Sequence, residues 1–147
     1  MDLYLDTNII LPYFDNLAKN KPPTKIFRYL YNVRERHNYF ASNLTKVEIF
    51  RHLHSVGLSF KECGAIWNES FIKILRVNEL FIEKVDFEQI ARLAAERPTR
   101  RGMIVNIIHI MVAKDNNLIV LTGDKPLKER FKVFYTKVID YEEFRKI

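Results

Sequence analysis

The stretch that constrains this chain most is Met103 to Lys128, MIVNIIHIMVAKDNNLIVLTGDKPLK. It reads as an apolar helix, a tight Asn116-Asn117 turn, a short buried strand, and then Thr122-Gly123-Asp124. The same pattern opens the chain, where Leu3-Tyr4-Leu5 runs into Asp6-Thr7-Asn8. An acidic residue directly after a parallel strand sits where open α/β sheets place their ligands, outside the carboxyl ends of the strands.

The rest of the chain alternates in the same way. Residues 2–7 predict a first strand, and the helix that follows from Asn8 contains Pro12, which disturbs its early turns. Pro22-Pro23 open a second helix with Ile26, Phe27, Leu30 and Val33 at helical spacing. Tyr39-Phe40-Ala41 is a second strand, with Ser42 or Asn43 as N-cap of a helix whose Leu44, Val47, Phe50 and His54 form a partly apolar face. A helix over Phe60 to Leu75 pairs with it. A third strand is expected in the later half of Val77–Val85, from Leu80 to Val85. Asp86 caps a helix that turns Ile90, Leu93 and Ala94 inward and ends at Pro98, before the basic loop Thr99-Arg100-Arg101-Gly102. A short helix from Lys125, a strand over Phe134–Ile139 and a helix capped by Asp140 complete the chain. Strands alternating with helices predict an α/β fold: a three-layer α/β/α sandwich around a parallel sheet of four to five strands. A chain of 147 residues predicts one domain, residues 1–147.

Composition narrows the function classes. No apolar run approaches the roughly 20 residues of a bilayer-spanning helix, so no membrane role is expected. Cys63 is the single cysteine, which excludes an internal disulfide and a cysteine zinc cluster and fits a reducing, cytoplasmic setting. The formal charge of +6 favours a polyanionic partner, although a basic surface alone also serves solubility.

Three acidic residues fall at strand ends or in the first turns of the helices that follow: Asp6, Glu48 and Asp124. Each has a plain alternative. Asp6 and Asp124 could be helix caps, and Glu48 a solvated helix residue. Together, on one rim of a parallel sheet, they would repel one another unless protons or cations intervene. Oxygen ligands without Cys or His suit Mg2+ or Mn2+ better than zinc, and such an ion supports phosphodiester cleavage. Arg100, Arg101, Lys125 and Lys128 flank this rim as candidate phosphate contacts, with a solvated role as the alternative. Tyr13 or Phe14 could stack a base. His109 on an apolar helix reads as a histidine hydrogen-bonded to a neighbour rather than a catalytic base, His52 and His54 as surface or supporting residues, and Cys63 as a small core filler.

The segments LDTNIIL (Leu5–Leu11), SNLTKVEIF (Ser42–Phe50) and VNIIHIMVAKDNNLIVLTGDKPLK (Val105–Lys128) resemble the PIN domain, in particular the VapC-like toxin ribonucleases of type II toxin–antitoxin systems. The likeness spans nearly the whole chain. It implies that Asp6, Glu48 and Asp124 hold a divalent metal, that Thr7 and Asn8 shape the loop beside the first ligand, and that Thr122 is a hydroxyl partner. It further implies an RNA substrate, 5′-phosphate and 3′-hydroxyl products, a small protein antitoxin as partner, and a homodimer built on apolar helix faces between residues 8 and 75.

One position departs from the family. Asn106 stands where the pattern has Asp, in register with His109 and Ala113 on one helical stripe. An amide can offer its carbonyl oxygen but neither negative charge nor a base, so metal affinity should fall. Position 106 is thus open to three readings: an inactivated variant, a naturally degenerate member, or an active member that tolerates the amide. The rival function is a catalytically silent RNA-binding or antitoxin-binding module. A phosphoryl-transfer or receiver-type domain is weaker, because no phosphate-cradling Gly-rich loop is present.

Overall fold

A computed structural model describes residues 1–96, 103–123 and 125–147. Pro98, the basic loop over 99–102 and Asp124 lie outside the described residues. The elements follow in the order β1 (Asp2–Leu5), α1 (Thr7–Ala18), α2 (Lys25–Val33), β2 (Asn38–Ser42), α3 (Asn43–Ser55), α4 (Phe60–Ile66) continued as a π-helical segment (Trp67–Ile74), β3 (Val77–Leu80), α5 (Phe87–Glu96), α6 (Met103–Asp115), β4 (Ile119–Thr122), α7 (Lys125–Lys132), β5 (Val138–Asp140) and α8 (Tyr141–Arg145).

The five strands form one sheet in the order β3-β2-β1-β4-β5, and every pairing is parallel. The three-layer α/β/α sandwich expected from the sequence is the observed architecture. Alternation along the strands distributes side chains between two cores. On β1, Leu3 and Leu5 join a core with α1, α3 and the π-helical segment, whereas Tyr4 faces the opposite core with Ile110, Ala113 and Phe131. The first core is the larger and is rich in rings. Phe14 packs between Trp67 and Phe71, Tyr13 stacks on Phe27 at 3.5 Å between centroids, and Phe14 is fully buried. These contacts also correct an expectation: Tyr13 and Phe14 are core residues, so neither is free to stack a base.

Several boundaries differ from the sequence reading, each for a local reason. The third strand is Val77–Leu80, the early half of its segment. Its partner β2 ends at Ser42, opposite Leu80, because Ser42 caps α3 by accepting the Thr45 N–H, so no ladder remains for residues 81–85. Those residues are tied down instead by Asn43, whose side-chain Oδ1 accepts the Ile82 N–H at 3.1 Å. The second helix begins at Lys25, where the Thr24 hydroxyl accepts the Phe27 N–H. The last strand is only Val138–Asp140; Phe134 and Tyr135 close the end of α7, with the Tyr135 hydroxyl donating to the Leu118 carbonyl. The buried stripe of α3 is Thr45, Ile49 and Leu53, one turn apart, which leaves Val47 63% exposed.

Other expectations hold. Asp86 accepts the Gln89 N–H at 3.0 Å, and Asp140 forms a capping box with Glu143. Asn117, at φ 55, ends α6 with Leu118 N–H bonded to Ala113 O and Asn117 N–H to Lys114 O, a left-handed helix stop that Asn tolerates. Much of the apolar content between residues 8 and 75 is consumed by the larger core, including Cys63; Val47, Val56, Phe60 and Ile74 remain exposed. No described helix is long and apolar enough to cross a membrane.

The ring cluster sets a test of what holds the helical layer to the sheet. Phe14→Ala should cost about 3–5 kcal/mol in urea unfolding. Phe60→Ala, at a position 78% exposed, should change stability by less than about 0.5 kcal/mol. Equal effects would overturn this placement of the core.

Candidate functional site

β1 is the central strand, and the chain leaves it toward β2 on one side and later reaches β4 on the other. The crevice at a reversal of this kind, at the carboxyl ends of the strands, is where such sheets bind ligands. Three consecutive residues occupy it, and each is tied to a different part of the fold. The Asp6 N–H continues the ladder by donating to Leu121 O at 3.0 Å, and its Oδ2 accepts the Thr122 hydroxyl at 3.1 Å. The Thr7 hydroxyl donates to Glu48 Oε1 at 2.8 Å. Asn8 Oδ1 accepts the Gly123 N–H at 3.0 Å.

The alternative role of Asp6 as a helix cap is settled by this geometry. Asp6 holds the N-cap position of α1, but its side chain makes no capping hydrogen bond. It is 3% exposed, and its carboxylate is directed at the β4 end. Burial pushes the Asp6 carboxyl up to about 6; the charge of Glu48 adds to the rise, against the pull of His109 and the Thr122 hydroxyl. A buried acid raised in this way, at a sheet switch point, is a candidate for a functional site.

Glu48 reaches the same rim from α3. Burial works against its ionisation, but the His109 ring and the Thr7 hydroxyl, both bonded to it, hold its carboxyl below the usual range. His109 Nε2 lies in close hydrogen-bond contact with Glu48 Oε1. Both donors meet on Oε1, and Oε2 has no partner among the described residues. His109 is itself buried, and its Nδ1 lies 2.5 Å from the Tyr4 hydroxyl, which is also 2.8 Å from Ser42 Oγ. Burial pushes Tyr4 up to about 12, so it remains a phenol across the physiological range. His109 is therefore hydrogen-bonded to its neighbours, as its apolar setting suggested. Tyr4 and Ser42 were not anticipated. Their signal was faint: a phenol at the one β1 position facing the smaller core, and a hydroxyl at the last residue of β2.

The other expected site residues are placed unequally. Asn106 is half-buried one turn before His109 on α6, and its amide donates to Met103 Sδ at 3.6 Å. Lys125 is exposed at the start of α7. Lys128, expected as a phosphate contact, is instead 5% exposed and paired with Asp140 at 2.9 Å and Glu143 at 3.0 Å. Those two hydrogen bonds raise its pKa and lock α7 onto β5 and α8. Arg100, Arg101 and Asp124 lie outside the described residues. A cation that the sequence reading missed is Arg51. It lines a cleft of about 330 Å³ between α1 and α3, with Thr7, Leu11, Glu48, His52 and Ser55. Glu48, Arg51, His52 and Ser55 fall at helical spacing, so they present one stripe of α3 to the cleft. His52 is held there by Asp15, at 2.8 Å.

Among the described residues, no three His, Cys, Asp or Glu side chains form a group that could hold a metal ion. The donors present still suit a hard cation: two carboxylates, one of them raised by burial, beside hydroxyl and amide oxygens. The third acidic position, Asp124, lies beyond the description.

The raised Asp6 carboxyl carries a stability consequence. The native state holds this proton more tightly than the unfolded chain, so its stabilising contribution is present below the ordinary carboxyl range and is lost as pH rises through about 6. Without divalent ions, the stability of Asp6→Asn relative to the parent should therefore rise between about pH 4 and about pH 7, by at most roughly 3 kcal/mol. A pH-independent difference in thermal melts would contradict this reading of Asp6.

No curated protein matches the chain. The PIN domain family matches residues 3–132, from the first strand through α7. Members of that family are generally nucleases. With Asp6, Glu48 and Thr122 gathered on the rim where β1 meets β4, the chain belongs to the PIN domain family.

Proposed function

We propose that this protein is a divalent-metal-dependent endoribonuclease, the toxin of a toxin–antitoxin pair. The observation that carries the nuclease reading is the rim itself: a buried Asp6 whose carboxyl is raised to about 6, beside Glu48 held below the usual range, in an oxygen-lined crevice next to a cleft lined by Arg51. Asp6 and Glu48, with Asp124 and the carbonyl oxygen of Asn106, would hold Mg2+ or Mn2+. Such an ion supplies charge neutralisation at the scissile phosphate and an activated water.

The protein's own groups do the rest. The Thr122 hydroxyl orients Asp6, and Thr7 and His109 orient Glu48. Arg51 binds a backbone phosphate in the α1/α3 cleft, and the excess positive charge of the chain draws a polyanion toward it. RNA as substrate, the toxin role, a small protein antitoxin and a homodimer rest on the likeness of the sequence to VapC-like toxins; the exposed Val47, Val56, Phe60 and Ile74 are available to a protein partner.

A specific observation favours a second reading. The Asn106 amide is bonded within its own helix turn rather than to Asp6 or Glu48. A silent RNA-binding or antitoxin-binding module would need no charge there.

Cleavage of structured RNAs in Mn2+ separates the two. The parent chain should cut slowly and Asn106→Asp faster, with tighter Mn2+ binding, while Asp6→Asn should be inactive. Activity in neither the parent nor Asn106→Asp would sink the nuclease reading in favour of the silent module. Arg51→Ala should weaken RNA binding to a similar degree across sequences and lower the slope of log affinity against log salt by about one. An unchanged slope would remove Arg51 from the substrate path.

A further inference from the structure

Glu48 is gripped by a hydrogen-bonded chain that begins at a backbone amide four groups away. The Thr45 N–H donates to Ser42 Oγ at 3.4 Å as the cap of α3. Ser42 Oγ lies 2.8 Å from the Tyr4 hydroxyl, which lies 2.5 Å from His109 Nδ1, and His109 Nε2 meets Glu48 Oε1. The members come from β2, β1, α6 and α3, so the chain crosses the carboxyl edge of the sheet and joins its two helical layers. Ser42, Tyr4 and His109 are each 1% exposed or less, and water does not compete for them.

The donor order of this chain follows from its fixed end. A backbone N–H can only donate, so Ser42 Oγ accepts from Thr45. If Tyr4 also donated to Ser42, the serine proton would have no acceptor among these atoms. If instead Ser42 donates to Tyr4, the phenol donates to His109 Nδ1, and the imidazole proton sits on Nε2, facing Glu48. This order gives each proton along the chain an acceptor and places the imidazole proton on Nε2. The resulting ring donates to the carboxylate through Nε2. It loads Oε1, together with Thr7, and leaves Oε2 for another ligand.

We infer that His109, fixed as its Nε2–H tautomer by Tyr4 and Ser42, is a positioning residue that presents Glu48 Oε2 to the divalent cation. The inference rests on the metal-dependent reading above and extends it by one shell. Hydrogen-bonded supports of this kind govern metal affinity by about 10–100-fold. They matter more where, as at Asn106, a neighbouring position offers an amide in place of a carboxylate.

The test is Mn2+ titration by calorimetry on the full chain, the parent beside His109→Phe, His109→Gln and Tyr4→Phe, with circular dichroism to verify folding. Long-range proton–nitrogen NMR of the parent reads the His109 tautomer. The expected result is a proton on Nε2, about 10–100-fold weaker Mn2+ binding in His109→Phe, and recovery of most of that loss in His109→Gln, whose amide can still donate to Glu48. Tyr4→Phe should mobilise the imidazole proton and weaken binding by less than His109→Phe. Parent-like affinity in a folded His109→Phe would overturn the inference while leaving the metal site intact. A proton found on Nδ1, or a His109→Gln as weak as His109→Phe, would also overturn it. Absence of Mn2+ binding by the parent would overturn both this inference and the metal-dependent reading. If His109→Phe fails to fold, His109→Gln and the NMR tautomer decide.

Discussion

The structure depends on the junction where β1 ends. Asp6, Thr7 and Asn8 are consecutive, yet their side chains attach to β4, to α3 and to the backbone beyond β4. A strand that turns directly into a helix points successive side chains in different directions, which lets three neighbours address three elements. The cost of the junction is a carboxylate withdrawn from water and raised to about 6. Were stability the only demand, an amide would suit that position better. An acid at that position fits the proposed role of Asp6 as a metal ligand.

Glu48 shows the complementary solution. It is also partly withdrawn from water, but two donors converge on one oxygen and keep it ionised. The rim thus holds two acids in opposite conditions, one poised to take a proton and one held without it. Environment separates them, chiefly through the depth at which each lies and the contact of His109 with Glu48. The surrounding cleft extends from Glu48 along the α1/α3 seam, where residues at helical spacing present Arg51 and His52 beside it.

Much of this was legible in the chain. The strand ends at Asp6 and Thr122, the α3 position of Glu48 and the caps at Ser42, Asp86 and Asp140 all follow from local rules, and local rules act on neighbours. Misjudged features depended on distant partners. Residues 80–85 have the composition of a strand, but β2 stops at Ser42 and offers no ladder. Lys128 has the look of a surface cation, but α8 brings Asp140 and Glu143 to it. Tyr13 and Phe14 sit near the site in sequence, yet Phe27, Trp67 and Phe71 take them into the core.

By itself the sequence determined the class of fold, the family, and the positions of Asp6 after β1 and Glu48 early in α3, because hydrophobic period and short motifs are local properties. Only the tertiary structure decided what those acids are. Burial beside β4 raised Asp6, and the convergence of Thr7 from α1 with His109 from α6 held Glu48 ionised. The link from Tyr4 to His109, 105 residues apart in sequence, exists only because β1 and α6 share one face of the sheet. Protonation and hydrogen-bond direction depend on the field of every neighbouring group, and those neighbours are assembled only when the chain closes.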